Sequence, residues 1–182
     1  IKLYGVYSQP DEINYNLLPN SFVVKCTHDS GNVYICNDKT KIDYCKLNNV
    51  YKGLKRNFYY ASREWPYKNL IPRIIIEENL SRNEKIPSDY KLMCFNGKVE
   101  YIQLHTDRFN NHNSYLYDKN GNPTEFNNVG NEKDNLTAPK LSQEIINKMI
   151  NLAEQIASDF IHVRVDFYYV DDGINAHECK IR

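Results

Sequence analysis

The chain has 182 residues, 41% of them apolar, and its 23 Lys and Arg balance 23 Asp and Glu. That length allows one core or two small lobes, and the absence of net charge makes nucleic acid an unexpected partner. No apolar run of about 18 residues is present to span a membrane.

Fifteen tyrosines imply many rings held half in water, each with a hydroxyl to satisfy. Five cysteines (Cys26, Cys36, Cys45, Cys94 and Cys179) are odd in number and irregularly spaced, with no Cys-x-x-Cys. That pattern argues against a zinc ribbon or a disulfide framework. The thiols are expected to be reduced and mostly buried, as in a cytoplasmic protein. The first residue is Ile1, with no charged-then-apolar leader, so the chain is expected to be a fragment.

In chain order, residues 1–20 read as a strand and an acidic, Pro-containing loop. "SFVVKC" and "VYIC" read as strands joined by the turn "THDSGN". Residues 40–58 place Ile42, Cys45, Leu47, Val50, Leu54 and Phe58 three to four apart, which predicts an amphipathic helix. "YYASREWPYKNLIP" is irregular, and Trp65 within it is expected to be buried rather than to form a stacking platform for sugars. "RIIIEENL" reads as a strand ending in acids. "DYKLMCFNGKVEYIQLHTD" reads as two strands joined at Asn96-Gly97, a strong hairpin signal. "SYLYDKNGNP" is a further strand, and residues 126–140 a polar loop. "LSQEIINKMINLAEQIASDF" predicts a helix capped by Ser142, with Ile145, Met149, Leu152, Ile156 and Phe160 as its buried stripe. The order implies an α+β fold with mostly antiparallel sheet.

The segment "HVRVDFYYVDDGINAHECKIR" carries the densest chemistry. Strand alternation puts His162, Arg164, Asp166 and Tyr168 on one face and Val163, Val165, Phe167 and Tyr169 on the other, the core face. On the return strand, Ile174, Ala176, Glu178 and Lys180 are expected to share a face. A two-residue Asp172-Gly173 turn would oppose Asp166 to Cys179. A three-residue loop with Gly173 in the left-handed position would oppose Asp166 to Glu178 and Arg164 to Lys180; both loops are common. The second register brings two carboxylates to about 5 Å between Cβ atoms, where a cation such as Mg²⁺ would relieve their repulsion.

The lines "FVVKC…THDSG", "PRIIIEENL", "DYKLMCFNGK" and "VRVDFYYVDDG…HE" occur in the order of an ATP-grasp ligase. With "SREWPYKN" and "HTDRFNNH", the chain resembles the TupA-like ATP-grasp family over roughly Leu3 to Glu178. That resemblance implies an ATP-grasp-like fold of two lobes, near residues 20–76 and 77–182. It implies ATP and Mg²⁺ as cofactors and a ligase that activates a carboxylate as an acyl phosphate. The setting it implies is bacterial cell-surface polysaccharide or teichuronopeptide biosynthesis, in the cytoplasm or at the inner face of the membrane. The partner would be a small or polymeric acceptor bearing a carboxylate. A glycosyltransferase, or a non-catalytic glycan- or nucleotide-binding protein of the same pathway, is the alternative.

The same resemblance assigns residues. Lys25 would contact nucleotide phosphates, and His28, Ser30 and Gly31 belong to the loop that folds over them. Glu77, Glu78 and Leu80 match the hinge where adenine lies. Those acids or Asp89 could accept from ribose hydroxyls, and Lys91 would be either a second phosphate contact or an exposed strand lysine. Asp166 and Glu178 would hold Mg²⁺, and Arg164 would steady the transferred phosphoryl group. The pattern departs at Lys180, where ATP-grasp enzymes commonly carry Asn and TupA-like members a polar Thr-like residue; a charged Lys cannot ligate a cation. His28, His105, His112, His162 and His177 form no metal motif. Cys26 reads as a buried thiol rather than a nucleophile, and Asp107, Arg108 and His112 are candidates for the acceptor side or a solvated loop.

Overall fold

Alternating apolar residues build a first sheet from β1 (Leu3–Tyr7), β2 (Phe22–Cys26), β3 (Val33–Cys36) and β4 (Ile74–Glu77). In the computed structural model, which describes residues 1–82, 85–107, 112–124 and 137–181, these strands lie in the order β1-β4-β2-β3, each pair antiparallel. Phe22, Val24 and Cys26 of β2 and Ile74 and Ile76 of β4 face the core, leaving Val23, Lys25, Ile75 and Glu77 on the opposite face. This sheet belongs to a unit spanning residues 1–80; residues 81–182 form a second.

The helix expected over residues 40–58 is shorter. The Asp43 side chain accepts from Lys46 N at 3.0 Å, which starts α1 (Tyr44–Lys52), and a 3-10 turn at Gly53–Lys55 ends it. Leu47 and Val50 are its buried residues, whereas Cys45, expected on the apolar stripe, is exposed. The segment expected to be irregular contains one turn of α-helix, α2 (Tyr59–Ser62), and a 3-10 turn at Trp65–Tyr67. Trp65 after it is 65% exposed, which corrects the expectation of burial. It packs edge-on to Tyr59, and the Lys68 ammonium lies 4.2 Å from its ring centre, so cation–π contact replaces burial.

The second unit holds β5 (Asp89–Phe95), β6 (Lys98–Thr106), β7 (Asn113–Asp118), α3 (Gln143–Ala157), β8 (His162–Val170) and β9 (Gly173–Ile181). Its sheet runs β7-β6-β5-β8-β9, antiparallel throughout. Asn96 and Gly97 form the expected two-residue turn, with φ of 49° and 77°. Leu92, Cys94, Ile102, Val163, Val165 and Phe167 project from one face against α3.

The buried stripe of α3 differs from the expected one. Ile146, Met149, Ala153 and Ala157 are essentially fully buried, while Leu152 is 41% and Ile156 38% exposed. Two alanines let the helix backbone lie close to the sheet, and that approach outweighs the larger apolar area of Leu and Ile. Ser142 occupies the N-cap position and its carbonyl accepts from Ile146 N, but its hydroxyl makes no capping bond. Ala153→Leu should therefore cost about 1–3 kcal/mol by overpacking, and Leu152→Ala no more than about 0.5 kcal/mol. Urea midpoints of the two variants check this; a reversed order would restore the expected stripe.

The final hairpin reaches its register by an unexpected route. Its turn is Asp171-Asp172, with φ of 51° and 58°, and Gly173 pairs with Val170. Neither expected loop is present. Regular pairing continues to Phe167 opposite Ala176, and then one residue is extra: Asp166 opposes Glu178, with His177 bulged between. The bulge also reverses the faces. Ile174 and Ala176 oppose Tyr169 and Phe167 on the core side, while Glu178 and Lys180 oppose Asp166 and Arg164 on the other.

Candidate functional site

The face of the second sheet away from α3 collects charge. Alternation turns Tyr90, Leu92 and Cys94 of β5 inward and so places Asp89 and Lys91 outward, with Lys91 directly opposite Asp166 of β8. Arg164 Nε donates to Asp166 Oδ1 at 2.7 Å and Nη2 to Oδ2 at 2.6 Å, a bidentate grip. The Lys91 ammonium lies 2.7 Å from both Asp166 Oδ2 and Asp89 Oδ2. His177 Nε2 donates to Asp89 Oδ1 at 3.1 Å, and its ring stacks on Tyr168 with centroids 4.0 Å apart. Glu178 stands at the solvent side of this network, 3.8 Å from Arg164 Nη2.

Burial makes these charges matter. Both Asp89 and Asp166 are fully buried, and the Lys91 side chain is 8% exposed. Burial pushes the Asp89 carboxyl upward, but the His177 hydrogen bond and the Lys91 charge more than reverse this and hold it well below the usual carboxylate range. Burial works against the Arg164 charge, yet its bonds to Asp166 raise its pKa further, so it stays a cation.

An oxygen-seeking cation suits part of this set. A carboxylate offers about four acceptor positions. Arg164 and Lys91 take three on Asp166, leaving one on Oδ1, and Glu178 faces it across the ladder. Asp89, Asp166 and His177 also bring ligand atoms within 4.8 Å of one another. The Lys91 ammonium is already bound to both carboxylates of that trio.

In the first unit, Lys25 and Glu77 meet on the non-core face of the sheet, 2.7 Å apart. The loop after β2 is pinned at its base. The His28 ring is buried and Nε2 lies 2.9 Å from Gly53 O, while the His28 carbonyl accepts from Phe58 N. Ser30 N donates to Asp29 Oδ1, and a Cβ at Gly53 would come within 2.8 Å of Asp29 Oδ2, so glycine there makes room for the turn. Gly31, at φ 83°, is the exposed tip. Glu78 N donates to Lys2 O, and Leu80 is buried.

The sequence profile described as TupA-like ATPgrasp matches residues 1–179. The chain belongs to the TupA-like ATP-grasp family. No curated protein matches it. Among solved structures, two of D-alanine–D-alanine ligase from Bacillus anthracis are similar. One, complexed with ATP, has a TM-score of 0.52 at 13% identity over 97% of this chain and 45% of its own. The other has 0.54 at 14%, over 97% and 49%. The fold is therefore ATP-grasp-like, and the chain spans about half the length of these ligases.

Within this TupA-like chain the structure brings together Arg164, Asp166, Glu178, Asp89 and Lys91 in one unit and Lys25 with Glu77 in the other. Asp89, considered for ribose hydroxyls, instead has its buried carboxylate taken by Lys91 and His177. His177 is the residue that sequence reasoning missed: the expected register sets it on the core face, whereas the Asp171-Asp172 turn sends it outward to Asp89, and the bulge then brings Glu178 to the same face. Cys26 is structural. Burial pushes its thiol up to about 11, and Sγ donates to Val50 O at 3.5 Å. His105 and His112 meet at 2.7 Å between ring nitrogens, whereas Arg108 lies outside the described residues. No described helix is long and apolar enough to cross a membrane.

Proposed function

We propose that this chain is the nucleotide-binding part of an ATP-dependent carboxylate–amine ligase of bacterial cell-surface polysaccharide or teichuronopeptide biosynthesis. The observation that supports it most is Asp166 set opposite Glu178 beside Arg164, within an ATP-grasp fold. In this reading a substrate carboxylate oxygen takes the γ-phosphoryl group of ATP, forming an acyl phosphate and ADP. An amine then attacks the acyl carbon, phosphate leaves with the bridging electron pair, and the amine loses a proton.

The residues divide that work. Asp166 and Glu178 would hold Mg²⁺, which when bound would offset phosphate charge. Arg164 stands where a guanidinium can stabilise the transferred phosphoryl group. Lys91 and Lys25 supply phosphate contacts as point charges. Ser30 and Gly31, on a loop that His28 anchors, would meet the phosphates through the Ser30 hydroxyl and the Gly31 backbone N–H, since Ser30 N is held by Asp29. Glu77, Glu78 and Leu80 form the adenine side. Lys180, opposite Arg164 and nearly buried, adds a cation where a ligand would be expected. That substitution favours a second reading, a family member that binds nucleotide without turnover.

Thermal unfolding with and without Mg²⁺-ATP tests the proposal. Ligand at about a hundred times its Kd should add about 2.7 kcal/mol to the folded state. The shift should require Mg²⁺ and vanish in Lys25→Ala and Asp166→Asn. No shift in this chain or in one extended at both ends would overturn the nucleotide site; a shift without ATP consumption in the presence of carboxylate acceptors would select the second reading.

A further inference from the structure

Lys91 occupies an unusual position for a phosphate contact. Its ammonium is 2.7 Å from two fully buried carboxylates, Asp89 and Asp166, which lie on different strands. A buried carboxylate pair left without a cation would repel strongly in that low-dielectric setting. One of the two, Asp166, is the residue assigned above to the divalent ion. Its Oδ2 accepts from both Lys91 and Arg164, so an ion arriving alone competes with two built-in cations for one carboxylate. Asp89 is different. It faces the same ammonium from the other side, and its second oxygen is fixed by His177, whose ring is stacked on Tyr168. The Asp89 end of the Lys91 contact is thus braced by two further side chains.

Resting on the nucleotide site proposed above, we propose that Lys91 is an internal stand-in for the divalent cation. It holds Asp166 while no nucleotide is bound, and pivots on Asp89 to a phosphate oxygen when nucleotide and metal enter together. Asp89 and the bulged His177 are then positioning residues that keep Lys91 within reach of both partners. The exchange keeps Asp166 paired throughout: an ammonium leaves as a divalent ion arrives, the phosphates that come with the ion balance its extra charge, and the departing ammonium finds a new anion. The site therefore takes the metal with the nucleotide and disfavours metal alone.

The test is Mn²⁺ binding to the full chain, read by equilibrium dialysis as the Mn²⁺ retained with the protein, with and without an ATP analogue whose β,γ-bridge resists cleavage. Wild type should bind Mn²⁺ weakly alone and at least about tenfold more tightly with the analogue. Lys91→Met should tighten binding of Mn²⁺ alone by about tenfold and weaken the analogue. Asp89→Asn should weaken the analogue without tightening Mn²⁺ alone, because Lys91 still holds Asp166. His177→Ala should weaken the analogue, and His177→Gln, whose amide can still donate to Asp89, should restore it. Should Lys91→Met fail to fold, Asp89→Asn/Lys91→Met keeps the charge balance and should also tighten Mn²⁺ alone. Equal Mn²⁺ affinity with and without the analogue in wild type, or unchanged Mn²⁺ affinity in the Lys91 variants, would overturn the stand-in and leave the nucleotide site standing. Absence of Mn²⁺ binding to wild type even with the analogue would overturn both.

Discussion

Asp166→Ala should lower the stability of this chain by about 3–5 kcal/mol, the cost of removing one member of a buried charge network. Asp166 accepts three hydrogen bonds, two from Arg164 and one from Lys91. Those two cations have side chains only 12% and 8% exposed, so water cannot replace the lost carboxylate. Arg164 would retain the longer approach to Glu178 at 3.8 Å. Combining Asp166→Ala with Arg164→Met removes the cation that lost both short bonds, while Lys91 keeps Asp89, and should recover part of the loss, which a double-mutant cycle in urea would measure. A cost below about 1 kcal/mol would mean that the network is solvated like a surface salt bridge.

Asp89→Asn should have a comparable effect, and one that depends on pH. At about pH 7 it leaves Lys91 with Asp166 as its one fully charged partner and should cost about 3 kcal/mol. Asp89 has a lowered pKa in the fold, so the unfolded chain takes up its proton first on acidification. Its contribution is therefore full above the unfolded carboxyl pKa of about 4 and is lost as pH falls further, through the lowered folded value. Wild type should lose stability along that limb, and Asp89→Asn should lose less, so the two converge in acid. Urea titrations from about pH 7 to about pH 2 would show it; parallel curves would mean that Asp89 is not held in its charged form by the fold.

Much of the molecule was legible where one physical rule acted alone. Short runs rich in β-forming residues located β2, β3, β4 and β5, period-two alternation set the two faces of β8, and the Asn96-Gly97 pair located a hairpin because left-handed backbone at two adjacent positions needs such residues. The rule failed where two elements compete for contact. Ala153 and Ala157 carry little apolar area, so nothing in the composition of α3 shows that they, and not Leu152 and Ile156, lie against the sheet. Trp65 failed for the converse reason. Its size suggests burial, but a lysine and a tyrosine nearby give the ring partners at the surface.

The clustering of Arg164, Asp166 and Glu178 was legible in the sequence, and its geometry only half so. The opposition of Asp166 and Glu178 was expected from a three-residue loop, yet a two-residue turn and a bulge produce the same pairing. Turn length and bulge position are interchangeable in a count of residues, so sequence spacing cannot separate them. The side chains can be separated, because only the two-residue turn together with the bulge puts both His177 and Glu178 on the charged face, with His177 against Asp89.

That bulge also bears on how the protein behaves in a crowded cell. β9 is the outermost strand at one side of its sheet, and an outer strand offers open peptide groups to any passing chain. An extra residue in its middle breaks the regular spacing that a docking strand would need to match, and it twists the edge away from flatness. The other margin carries its own guard: Pro123 is bridged to Tyr117 of β7, and a proline has no N–H to offer. The irregularity that completes the charged site is therefore also one that a docking strand could not match in register.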